Sequence, residues 1–287
     1  MIIFLTILIT FLIANNQVLI SGASNGLMLW YNNILPLLLP FMLISGLLEK
    51  AIINSNKVSS KKSVFTILFL GLFCGYPIGA KTNASFTRAN VISNTLGNIL
   101  LPICNNISPM FFLGFVMNNI LKNSISPILA YAVIYLPYLI FLALELLLIN
   151  VNKKPVADKP ICKKSTIENK NIAEESIMQI TMVGLYIMLC SILTEFILCS
   201  TWFSNQIKLL LVGATEITRG ITYISQSYTL NTQIKTALIL SFTSFGGISS
   251  IMQTKNVLQG SGLSLIHYIC IKVLCAISTF FLYILLV

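Results

Sequence analysis

Residues 71–109 read GLFCGYPIGAKTNASFTRANVISNTLGNILLPICNNISP, and the way this stretch is interrupted decides how the chain must fold. It lies among apolar segments, yet Gly75, Pro77 and Gly79 break it, and Asn, Ser and Thr recur throughout. Backbone groups freed by such breaks must be satisfied inside the protein or by a watery cavity, because hydrocarbon offers neither donor nor acceptor. Gly75-Tyr76-Pro77 reads as an unwound turn with Pro77 at the first helical position. The amides of Ile78, Gly79 and Ala80 would then point into the break and attract an anion. Lys81 follows one turn later and Arg88 two turns after that, on the same side. Hydrophobic segments interrupted by Gly and Pro mark the solute site of a transporter. The competing reading is a merely kinked helix with snorkelling cations.

Composition fixes the class around this stretch. Of 287 residues, 56% are apolar and only 9% are charged, with a mean hydropathy of +0.88, far outside the range of soluble domains. The expectation is an all-α, polytopic transmembrane helical bundle. Residues 1–14, MIIFLTILITFLIA, lack the cationic start and small-residue cleavage site of a secretory signal, so they read as part of a retained first span. The net charge of +10 comes from 18 Lys and Arg concentrated in two loops, with no aromatic-interleaved basic face for nucleic acid. Cysteines at 74, 104, 162, 190, 199, 270 and 275 form no CxxC pair, so neither a disulfide framework nor a metal centre is expected. No cofactor is expected either.

Those two Lys-rich loops set the topology. Lys50, Lys57, Lys61 and Lys62 crowd residues 50–63; Lys153, Lys154, Lys159, Lys163, Lys164 and Lys170 crowd residues 150–175. The positive-inside rule places both in the cytoplasm. An even number of crossings must then separate them, yet three hydrophobic stretches lie between, at 64–84, 96–117 and 125–149. One must fail to cross. The candidates are the stretch with Gly75-Tyr76-Pro77 and the stretch with Asn105-Asn106-Ile107-Ser108-Pro109. Upstream, SGASNG at 21–26 reads as a turn between a first span and a second one kinked by Pro36 and Pro40, and Trp30 and Tyr31 read as an interfacial belt.

The chain divides into a first membrane half, 1–150, a polar cytoplasmic linker, 151–175, and a second half, 176–287. In the second half, Glu216 and Arg219 stand three apart in an apolar segment, read as one helical face on which they neutralise each other. Ser244-Phe245-Gly246-Gly247 interrupts the next segment and can be laid over Gly75-Tyr76-Pro77, as expected of two related halves with broken or re-entrant helices. Glu145 reads as an interfacial carboxylate near Lys153, Glu195 as unremarkable, and His267 as an interfacial residue.

Gly75-Tyr76-Pro77-Ile78-Gly79-Ala80-Lys81, with Asn106 and Ser108-Pro109-Met110-Phe111, resembles the YlbJ-type sporulation integral membrane proteins of the nucleoside-recognition, or Gate-domain, group. Glu216-Ile217-Thr218-Arg219-Gly220, Ser244-Phe245-Gly246-Gly247 and Gln253 resemble the second-half pattern in the same order. The resemblance implies a multi-pass protein of the outer forespore membrane that passes dipicolinate, an aromatic dianion. Its substrate would meet helix N-termini and Lys81, stack on Tyr76 or Phe245, and bond to Asn106, Ser108 and Gln253. Partners would be that small organic anion, the lipid bilayer, and a second copy or other sporulation membrane proteins, with no nucleic acid.

Two alternatives compete with this reading. One is a Gate-domain transporter of a nucleoside or other small solute, which would not need Lys81. The other is a non-transporting membrane scaffold whose polar breaks serve helix packing. An enzyme is not expected, because the chain has one His and neither HExxH, GxSxG nor a P-loop.

Overall fold

The computed structural model describes residues 6, 10–54, 60–151 and 171–287. Lys57 and Lys153 through Lys170, like most of residues 1–9, lie outside the described residues. Among those described, the chain is helical with no strand, and six helices are long and apolar enough to cross a membrane. This is an all-α, multi-pass membrane architecture.

The first element overturns the expectation of a turn at SGASNG. Helix α1 (Asn16–Leu29) runs through it, passes into a π-helical segment at Trp30–Ile34, and continues as α2 (Leu35–Ile53). The glycines serve contact rather than reversal. A Cβ on Gly22 would stand 2.6 Å from the Ile192 Cα, and one on Gly26 would stand 2.7 Å from the Met188 Cα. Small residues four apart let two helix backbones approach in a membrane, and here α1 lies along α8 (Ile172–Cys199). The π segment also has a local cause: Pro36 cannot donate to its preceding turn, and the register change places the Leu35 amide on the Trp30 carbonyl. Trp30 is no belt residue. Its Nε1 donates to the Ile180 carbonyl at 3.0 Å, and its ring covers Gly184.

Helices α3 (Ser60–Cys74) and α4 (Ile78–Arg88) form a hairpin. Fifteen and eleven residues rise about 22 and 16 Å, short of the ~30 Å hydrocarbon core, so the chain enters and returns on one side. Next, α5 (Asn94–Cys104) and α6 (Pro109–Phe111), extended by a π segment at Phe112–Ile120, form a broken helix that does cross. It is followed by α7 (Pro127–Val151). The parity expected from the Lys-rich loops is met in this way: the Gly75-Tyr76-Pro77 stretch turns back, and the Asn105-Asn106 stretch bends but passes through.

The elements after α8 repeat this order. Helices α9 (Asn205–Thr215) and α10 (Ile217–Ser225) form a second hairpin, α11 (Thr232–Phe245) and α12 (Gly247–Val257) a second broken crossing, and α13 (Leu265–Leu286) a last full one. The overlay of Ser244-Phe245-Gly246 on Gly75-Tyr76-Pro77 is therefore corrected. Gly246, in the left-handed region at φ +84°, bends a crossing helix without reversing it. It corresponds to the Asn105–Ser108 break, and the hairpin tip that answers to Tyr76 is Glu216.

Candidate functional site

At the first tip, Gly75 takes φ +76°, the Tyr76–Pro77 peptide is cis, and Pro77 caps α4 rather than opening it. The amides expected to await an anion are already used. Ile78 and Gly79 donate to the Gly75 carbonyl at 3.0 and 3.3 Å, and Ala80 donates to Asn105 Oδ1 at 3.4 Å. Tyr76 donates its own amide to the Asn106 carbonyl at 2.9 Å, joining the tip to the break in the neighbouring crossing helix.

Lys81 and Arg88 do not reach the break. Lys81, 3% exposed, sends its ammonium to Glu175 Oε1 at 3.8 Å, under Gly46 of α2. Beside it the buried Glu49 accepts from Thr82 Oγ1 at 2.7 Å. Arg88 donates to the carbonyls of Val257 and Gln259 at 3.1 and 2.9 Å. Helix α4 runs from the tip towards the Lys-rich side, so cations on its later turns are carried away from the centre.

At the second tip the expected helical face is absent. Glu216 is extended (φ −141°, ψ 122°) and caps α10: its Oε2 accepts from the Arg219 amide at 2.9 Å. The Arg219 guanidinium turns to Glu195 on α8 and to the Ser191 carbonyl instead. The two charges expected to cancel each other thus do not pair side chain to side chain: from the N-cap the Glu216 carboxylate takes the Arg219 amide, and the guanidinium is left to Glu195. Glu195 gains a defined role as the Arg219 counter-ion. Glu145, similarly, is 2.6 Å from His267 Nε2.

Both tips face one cavity of about 570 Å³. Gly75 and Tyr76 enter from the first hairpin, Glu216, Ile217 and Thr218 from the second. The broken helices contribute Ser108, Phe111 and Asn119 on one side and Gly246, Ser249, Ser250 and Gln253 on the other, and Asn32 and Asn33 come from the first long helix. The first tip meets the second helix break across the centre: a Cβ on Gly246 would lie 3.6 Å from the Tyr76 ring. Asn119 lies at the end of its crossing helix away from Lys61 and Lys62, so the cavity extends towards that end of the bundle.

Of the residues expected at a site, Gly75, Tyr76, Ser108, Glu216, Gly246 and Gln253 line this space, and Pro77, Gly79, Lys81, Asn106, Arg219, Phe245 and Gly247 do not. Gly79 packs on the Cys104 carbonyl and Gly247 on the backbone of residues 215–217. Asn106 is buried behind the tip, where its Oδ1 accepts from the Ile107 amide and the Lys272 ammonium. The lining residues Asn32, Asn33, Asn119, Thr218, Ser249 and Ser250 were not singled out from the sequence, although amides inside a 38-residue apolar helix are themselves a signal.

Among the described residues the lining is largely apolar, with Leu37, Leu38, Ile107, Val183 and Ile187 beside the aromatic rings; its polar groups are amides, hydroxyls and the Glu216 carboxylate, with no Lys, Arg or His. Such a surface offers a solute apolar faces, a few directional hydrogen bonds and one negative charge.

No family model matches the chain, and no solved structure matches it. It is similar to the sporulation integral membrane protein YlbJ of Bacillus subtilis (strain 168), at 24% identity over 301 residues, covering 86% of this chain and 72% of that protein. With the six apolar crossings, this similarity supports a multi-pass membrane location.

Proposed function

We propose that the chain is a transporter or channel component that passes a small, neutral, hydrogen-bonding solute, of the size and polarity of a nucleoside, through the cavity between the hairpin tips. One observation carries the reading: two re-entrant tips and two helix breaks converge on a largely apolar space with polar groups set into its wall, lined among the described residues by one carboxylate and no cation. Tyr76 and Phe111 supply faces for a flat ring, and Asn32, Asn33, Ser249 and Gln253 supply directional bonds. The halves 1–150 and 176–287, joined by the linker 151–175, would move against each other around the site, as repeat-built transporters do.

A second reading, dipicolinate passage across the outer forespore membrane, draws on the similarity to a sporulation membrane protein. A dianion would meet Glu216 with Lys81 out of reach, so it would need a bound cation or a neutralised carboxyl. Uptake into sealed vesicles of purified protein separates the readings. Uridine or adenosine uptake without dipicolinate uptake supports the first, and the reverse supports the second. Absence of both, in vesicles shown to be filled and oriented, favours a scaffold.

A further inference from the structure

Lys272 stands near the middle of α13 with its side chain fully enclosed, 0% exposed. Its Nζ donates to the Ser244 main-chain oxygen at 2.7 Å and to Asn106 Oδ1 at 3.3 Å. The rings of Tyr138 and Tyr268 lie on either hand, with centroids 5.2 and 5.9 Å away. Among the described residues, no carboxylate is within ion-pair distance of it.

Each ligand has a structural origin. The Ser244 carbonyl is in the last turn of α11, where the Gly246 break removes its helical donor. It accepts from the Tyr138 hydroxyl as well, at 2.8 Å. Asn106 belongs to the other break, between α5 and α6. Its amide oxygen is committed to Lys272 and to the Ile107 amide, while its Nδ2, though buried, has no partner among the described residues. The amide is thus turned so that its oxygen serves the cation at the expense of its nitrogen. Oxygen acceptors and aromatic faces without a full negative charge are what a monovalent cation takes in a dry interior.

We infer that the space between the two helix breaks is a monovalent-cation seat, which this protein fills with its own tethered ammonium. Lys272 holds the two broken helices in register, and no alkali ion is needed there. Cutting the side chain back vacates the seat, and a small primary ammonium or an alkali cation then takes it.

The test uses the full chain in detergent or nanodiscs and reads unfolding temperature in choline, sodium, potassium and propylammonium chloride at constant ionic strength. None of these readouts depends on what solute is carried. The wild type should unfold at one temperature in all four salts. Lys272→Ala should unfold lower in choline, with a saturable rise of several degrees in propylammonium or in one of the alkali salts. Lys272→Met, which fills the space without charge, should be destabilised and unresponsive. If Lys272→Ala does not accumulate as folded protein in choline, propylammonium during extraction must restore its yield. The inference is overturned by a sodium-dependent wild type, by a Lys272→Met protein as stable as wild type, or by a Lys272→Ala protein that no cation or amine stabilises or restores.

Discussion

Gly220 lies so close to Gly213 across the second hairpin that a methyl group on it would stand 2.5 Å from the Gly213 Cα. Gly79 meets Gly71 in the same way in the first hairpin, where the added carbon would stand 2.9 Å from the Gly71 Cα and run into the Cys104 carbonyl. Each re-entrant pair is closed by glycines one turn from its tip.

Side chains at these positions should therefore force the hairpins open. Gly220→Ala should cost about 1–3 kcal/mol, the usual range for overpacking, and Gly79→Leu should cost more. Thermal unfolding in detergent reads both. Wild-type stability in Gly79→Leu would contradict the packing described.

Lys81 should matter to closure rather than to solute binding. In Lys81→Met the ammonium leaves Glu175 and the buried Glu49, while nothing in the cavity changes. The KM for any transported solute should stay within about twofold, since no cavity contact is lost. Cys74 lines the cavity, and as the one retained thiol it should react faster with an impermeant reagent added on the cytoplasmic side. A large rise in KM with unchanged thiol access would reverse this assignment.

Glu216→Gln tests the charge preference. The amide oxygen still caps the Arg219 amide, so stability should fall by no more than about 1 kcal/mol. Dipicolinate uptake should rise relative to that of a nucleoside once the carboxylate is gone. An unchanged ratio would remove Glu216 from the selectivity of the cavity.

Gly26→Leu should separate α1 from α8, because its side chain would enter the Met188 backbone and the Ser191 side chain. Loss of the Trp30 bond to the Ile180 carbonyl should follow, seen as a shift in tryptophan emission. Retained wild-type emission and unfolding temperature would show that the two helices do not depend on that contact.

The crossing pattern was legible in part because lysines count crossings: two basic loops with three apolar stretches between them require one to turn back, but the Gly75-Tyr76-Pro77 and Asn105-Asn106 stretches were equal candidates until the short helices on either side of Tyr76 set them apart. The membrane class followed from composition alone. Less was legible wherever a residue's partner is far away in the chain. SGASNG looks like a turn until Ile192 and Met188 are seen against it. Glu216 and Arg219 look like a pair until the extended backbone at Glu216 separates them and Glu195 appears. Local spacing placed Lys81 at the break, but the direction of α4 sends its ammonium to α8. Lys272 carried no local signal, since its ligands, Asn106 and Ser244, come from two other elements.

Arg88 ends the first hairpin by gripping the carbonyls of Val257 and Gln259, where the second broken crossing finishes. The re-entrant arm of one half is thereby moored to the far end of a strut in the other. Any movement of the halves against each other must therefore break these two bonds or carry the end of that strut along.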